Sequence, residues 1–294
     1  MGLVTLIGPA FAVLIGFLLG GFVLNRRTAV ARMVADNAPE PEPLRAPVRL
    51  RVATQNVKAM YIQSTHREER MHGIAGLLIE HEADIVCFQE AFIAKCRQIL
   101  VERLGEAGLE HHVYFRCGLI GSGLLFVSRY PIIETRFERY KNEGNPFALH
   151  HGDYWAGKGI ASIRVVHPDG HLVVYGTHVH AAYRNPYERT RLKQMHQATA
   201  FVNETAPEGI PAFVLGDINC EPHEDGYKTL VEGASLTRMM TLDSDIDHIF
   251  LRHAEAHQAQ TLDTARMAGI YCDGGVIYLH SDHFGFCSEI EVGK

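Results

Sequence analysis

The chain of 294 residues carries 47% hydrophobic and 21% charged residues, the balance of an ordinary globular protein. Setting aside an apolar leader leaves about 245 residues, enough for one large domain with a full core or two small ones. A formal net charge of −6 weighs against holding nucleic acid by bulk electrostatics, although a local basic patch would still suit a nuclease. The six cysteines form no CxxC pair, and their spacing matches neither a zinc site nor a small disulfide framework. They are expected as reduced thiols.

In chain order, Leu3 to Leu24 contains no charged residue. Twenty-two residues at a ~1.5 Å rise cover about 33 Å, enough for a bilayer core of ~30 Å. A single-pass transmembrane helix is therefore expected. A cleaved signal peptide is the rival, with Ala29-Val-Ala31 resembling a cleavage site. However, no Lys or Arg precedes the apolar run, and Arg26, Arg27 and Arg32 follow it. The positive-inside rule then puts the rest of the chain in the cytoplasm. The predicted division is an anchor over 1–25, a juxtamembrane Pro/Glu-rich linker over 26–47, and one domain over 48–294. Alternating Pro and Glu between Ala38 and Pro47 predict the extended, solvated character of that linker.

Beyond it, strands are predicted over 49–54, 84–88, 124–127, 160–166, 172–175, 212–215, 247–251 and 284–292. Helices are predicted over 68–81 and 187–203. Several strands follow one another without a helix, which predicts α/β layers with much antiparallel pairing. Five strand ends carry a polar group: Asn56, Gln89-Glu90, His178-Val-His180, Asp217-Ile-Asn219 and Ser281-Asp282-His283. Side chains alternate along a strand, so His178 and His180 can share a face, as can Asp217 and Asn219. Asp, Glu and Asn oxygens suit Mg²⁺ or Mn²⁺ better than zinc. A hard cation with few protein ligands suits a phosphate ester. Each element alone has an ordinary explanation as a turn, a cap or a strand histidine. Their conjunction and order carry the reading.

That ordered set, with Asp245-Ile-Asp247-His-Ile249, resembles the endonuclease/exonuclease/phosphatase superfamily over about residues 49–292. Phe115 to Ile132, His150-His-Gly-Asp153-Tyr-Trp-Ala-Gly-Lys158-Gly159 and Thr177-His-Val-His180-Ala-Ala-Tyr183 resemble its neutral sphingomyelinase branch. Ala182 departs from the branch's usual Glu, and Val57-Lys-Ala departs from its Cys-Trp-Gly. The resemblance implies a four-layer α/β sandwich of the α+β kind, with two packed, mixed, largely antiparallel sheets of deoxyribonuclease-I-like fold. It implies a Mg²⁺-dependent phosphodiesterase acting in phospholipase C manner on a sphingomyelin-like membrane lipid. Asn56 and Glu90 would hold the metal. His283 would be general base, oriented by Asp247. Asp217 and Asn219 would position the nucleophile and phosphate, and His178 would donate to a phosphate oxygen. His180, Asp153, Lys158 and Asp282 would support the site. The expected partners are the lipid substrate and, through the helix, the bilayer, with no nucleic acid or protein partner. The alternatives are a tethered nuclease, a phosphodiesterase for another lipid, and a non-catalytic lipid- or protein-binding module.

Overall fold

A computed structural model describes residues 33–34, 39–62, 64–145, 147, 152–183, 187–273 and 276–293, with isolated positions 16, 20 and 23. Strands are β1 (Met33–Val34), β2 (Val48–Asn56), β3 (Ile85–Gln89), β4 (His111–Tyr114), β5 (Leu125–Ser128), β6 (Ile132–Arg139), β7 (Gly159–His167), β8 (Gly170–His178), β9 (Ala212–Asp217), β10 (Leu236–Arg238), β11 (Asp247–Arg252), β12 (Gln260–Met267), β13 (Ile270–Asp273), β14 (Val276–Leu279) and β15 (Gly285–Val292). Helices are α1 (Arg67–Glu80), α2 (Ala94–Glu106), α3 (Glu188–Thr205) and α4 (Asp225–Gly233).

One sheet runs β1-β6-β7-β8-β9-β11-β10 and the other β12-β15-β2-β3-β5-β4, while β13 and β14 form a separate hairpin. Pairing is antiparallel except for β2 with β3 and β8 with β9. Residue alternation builds the layers. Leu50, Val52, Ile85 and Cys87 from one sheet meet Val174, Phe213, Leu215, Ile249 and Leu251 from the other. The intervening Ala53, Val86 and Phe88 face Met71, Ile74 and Leu78 of α1 and Ile99 and Leu100 of α2. Val214 and Tyr175 face Met195, Ala198 and Phe201 of α3 and Leu230 of α4. The two sheets thus pack face to face with helices outside each. They approach so closely at Gly176 that a Cβ there would strike Cys87 and Phe126.

Two expectations change. Among the described residues no helix is long and apolar enough to cross a membrane, which overturns the predicted single-pass span and the localisation built on it. The apolar run at 3–24 itself lies almost wholly outside the described residues. Secondly, the Pro/Glu-rich segment is docked rather than free where it is described. Leu44 is buried in the core between the sheets. The Arg45 amide donates to Asp169 O at 2.7 Å, the His171 amide to Glu42 O at 2.8 Å, and the Glu42 amide to His171 Nδ1 at 3.0 Å. A hairpin turn with outward-pointing carbonyls gives such a segment backbone partners that composition does not reveal.

Candidate active site

The alternation that fills the core also points the polar strand ends into one place. Phe213 and Leu215 face inward, so Asp217 does too; Ile249 and Leu251 do the same for Asp247, Leu172 and Val174 for His178, and Leu50 and Val52 for Asn56. Strand register then sets them side by side. Asp217 is paired with His178 on one flank and Asp247 on the other. Asn56 lies across the gap on β2, and Glu90 follows β3 directly. Gly216, at φ 136°, carries the chain against the Thr177 carbonyl, where any side chain would clash.

The contacts are short and buried. The Asn56 amide nitrogen donates to Asp217 Oδ2 at 3.0 Å and to Glu90 Oε1 at 3.2 Å. Its oxygen accepts from the Lys58 amide at 3.1 Å. Asp217 Oδ1 accepts from the Asn219 amide at 3.0 Å, and the Asn219 side chain donates to Val179 O at 3.1 Å. His283 Nδ1 lies 2.7 Å from Asp247 Oδ2, and its Nε2 lies 3.9 Å from Asp217 Oδ2. His178 Nε2 is 3.6 Å from Asp217 and 3.8 Å from Glu90, too far for hydrogen bonds. That nitrogen instead accepts from Lys158 Nζ at 3.0 Å; Lys158 also donates to Val179 O and is ion-paired with Asp153. Glu90 is held at φ 56° and Asn219 at φ 47°.

The electrostatics follow from burial. Burial, then the neighbouring Asp247, pushes the Asp217 carboxyl up to about 7. Burial likewise raises Glu90, with Lys158 opposing it. For His283 burial opposes the charge, but the bond to Asp247 and the field of Asp217 raise it to about 10. Burial and the adjacent Lys158 hold His178 well below its usual range. Asp153 is lowered because Lys158 outweighs its burial.

Lys158 balances Asp153, and Lys58 balances Asp282 at 2.6 Å. Glu90, Asp217 and Asp247 then face the single imidazolium of His283. Two of those carboxyls are raised by burial, so a divalent cation among the three would relieve their mutual repulsion. Asp217, Asp247 and His283 bring ligand atoms within 4.8 Å of one another, and Asp247 Oδ1 is buried without a hydrogen-bond partner. This oxygen-rich set fits a hard divalent cation.

Of the predicted residues, Asn56, Glu90, His178, Asp217, Asp247, His283, Lys158 and Asp153 converge. Asn219 braces the Asp217 turn through the backbone. Asp282 lies at the rim with Lys58. His180 turns aside, its ring stacked on Tyr187 at 4.1 Å with Nδ1 2.8 Å from Ala181 O. Three contributors were missed. Lys58 appeared only as a departure from a motif. Tyr140, whose hydroxyl meets Thr177 Oγ1, and Arg70 carry no local signal.

This fold and centre define a member of the endonuclease/exonuclease/phosphatase family: residues 53–267 match that family, and the chain belongs to it. Within the family the similarity runs to sphingolipid enzymes. The chain is 31% identical over 193 residues to sphingomyelin phosphodiesterase 2 of Homo sapiens, covering 64% of this chain and 45% of that protein. It is 29% identical over 194 residues to the inositol phosphosphingolipids phospholipase C of Schizosaccharomyces pombe, covering 65% and 43%. The chain thus spans about half the length of the curated relatives it matches. Among solved structures, sphingomyelinase C from Streptomyces griseocarneus shares the fold with a TM-score of 0.64 at 18% identity, covering 84% of this chain and all of that one. The beta toxin of Staphylococcus aureus, solved with bound magnesium ions, gives 0.65 at 15% identity, covering 82% and 99%.

Proposed function

We propose that the protein is a divalent-cation-dependent phosphodiesterase that cleaves a sphingolipid in phospholipase C manner, releasing ceramide and a phosphorylated head group. The observation that carries this reading is the buried row of His178, Asp217 and Asp247 facing Asn56 and Glu90, with His283 held by Asp247. Similarity to sphingomyelin and inositol phosphosphingolipid hydrolases supports the lipid class.

In this reading Glu90 would hold Mg²⁺, with Asp217 close enough to share it, and Asn56 would add its amide oxygen once the side chain turns that atom, rather than its nitrogen, toward Glu90. Mn²⁺ is the natural substitute. A cation held there would supply charge neutralisation at the phosphate and the leaving oxygen. With a cation bound beside Asp217 to offset the negative field that otherwise keeps it protonated, His283 would be free at Nε2 to take a proton from the water that attacks phosphorus, and Asp247 would stabilise the imidazolium that forms. Asp217 and Asn219 orient the nucleophile. Lys158 and His178 serve the phosphate oxygens, Lys158 through Nζ and His178 through Nε2 once Lys158 turns to the substrate and the ring's proton sits on Nε2 instead of Nδ1. Asp153 holds Lys158 in reserve. His180 and Asp282 support the walls.

The test is one assay series with Mg²⁺ on sphingomyelin, an inositol phosphosphingolipid, phosphatidylcholine and a lysolipid in mixed micelles, with plasmid DNA alongside. Ceramide release that EDTA abolishes is expected. Nicking of DNA without turnover of any lipid overturns the lipid reading.

A further inference from the structure

Arg70 lies in the first turn of α1 and is 5% exposed. Its guanidinium donates to four oxygens. Nε reaches His280 O, Nη2 reaches Val57 O, and Nη1 reaches both Lys58 O at 3.2 Å and Ser64 Oγ at 2.9 Å. Val57 and Lys58 follow Asn56 directly. His280 directly precedes Ser281-Asp282-His283. One planar group therefore ties together the two segments that present the amide and the imidazole of the site. A second link lies closer in: Ser281 Oγ donates to Asn56 O at 2.7 Å and accepts from the His283 amide at 3.3 Å. The His280 ring packs where a Cβ on Gly73, one turn along α1, would clash. The His280 carbonyl is thus held against the same helix that carries Arg70.

An ordinary account would have Arg70 merely satisfy loop carbonyls. Its choice of carbonyls argues for more. They flank the two site segments, which belong to opposite ends of the sequence and which, beyond the Thr54–Phe286 pair of β2 and β15, are joined to each other through side chains. A fork with five donors in fixed geometry can hold three carbonyls and a hydroxyl in one plane; a lysine cannot.

We propose that Arg70 is a positioning residue that holds Asn56 and His283 in one frame, acting through the backbone and touching no substrate. This rests on the phosphodiesterase reading for its kinetic consequence only. The test compares wild type, Arg70→Lys and Arg70→Ala in the full chain. In Arg70→Lys, kcat on micellar sphingomyelin should fall about 10–100-fold, as expected for reacting groups misplaced by about an ångström. KM should stay within about twofold, since the substrate contacts survive. Methylguanidinium should restore part of the rate to Arg70→Ala, and added ammonium should not. Hydrogen exchange on the substrate-free protein should quicken at 57–62 and at 280–284 together in both variants. Wild-type kcat in Arg70→Lys, or quickening of only one segment, overturns the proposal. If wild type hydrolyses no lipid phosphodiester, the functional reading fails, and the exchange data alone still decide whether the clamp exists. Should Arg70→Ala not fold, Arg70→Lys carries the test.

Discussion

The two sheets supply the centre in different ways. The seven-stranded sheet gives His178, Asp217 and Asp247 from strand residues at matched register, each nearly or fully buried. The six-stranded sheet gives Asn56 from a strand end, Glu90 from a left-handed turn and His283 from a loop. The first set is fixed by ladder hydrogen bonds; in the second Asn56 lies on a ladder opposite Gln89, while Glu90 and His283 need side chains as braces. Arg70 braces the Asn56 and His283 segments. Arg97 braces the chain after Glu90, donating to Ala91 O at 2.7 Å and Phe92 O at 2.6 Å. One side is therefore a rigid acidic floor, sensitive to charge. The other is a hung rim, sensitive to geometry.

Substitutions can break or sharpen that contrast. The largest effect is expected from His283→Ala, a loss of about 10²–10⁴-fold in kcat with retained folding by circular dichroism. Wild-type turnover in that variant would remove His283 from the chemistry. On the floor, Asp217→Asn should lower kcat by about 10²–10³-fold. It should also raise the melting temperature of EDTA-treated protein near pH 8, because burial beside Asp247 makes the Asp217 charge unfavourable. A lowered melting temperature would show that the floor is not electrostatically strained. Lys158→Ala should cost about 10–100-fold, the usual effect of losing a residue that orients others; steady-state kinetics against Asp153→Asn should give a similar loss.

The smallest effect is on pH and stability. His283 has a folded pKa raised to about 10 from an ordinary value near 6.5. Its contribution is fully present below about pH 6.5 and is lost as pH rises through about 10. Metal-free wild type should therefore lose melting temperature across that window, and His283→Ala should lose less. Equal slopes in thermal scans would refute the His283–Asp247 pairing.

The sequence made the floor legible because it obeys period two: the inward residues 213 and 215 extend to 217, and 249 and 251 extend back to 247. Strands buried on both faces announced themselves by apolar runs. Missed elements were those without such runs. Among the described helices, α2 mixes Lys95, Arg97 and Gln98 with its apolar face, and the edge strand β4 and the strand β6, flanked on one side by the two-residue β1, are only partly buried. The rim was legible in its ligands but not in its supports. Arg70 looks like any charge in the polar first turn of a helix, and only tertiary structure reveals that it faces three carbonyls. His180 leaves the face of His178 because the strand ends at His178, so the alternation that would align the two histidines stops there. The apolar run at 3–24 gave a length argument that the described helices do not sustain.

Glu90 has one more implication. A left-handed conformation costs a non-glycine residue of order 1–3 kcal/mol, and this residue also carries a carboxylate that burial disfavours. Glycine would relieve both burdens. Selection of variants for heat resistance alone should therefore enrich Glu90→Gly among clones that have lost turnover. Glutamate on that backbone is stability forgone for a carboxylate at the centre.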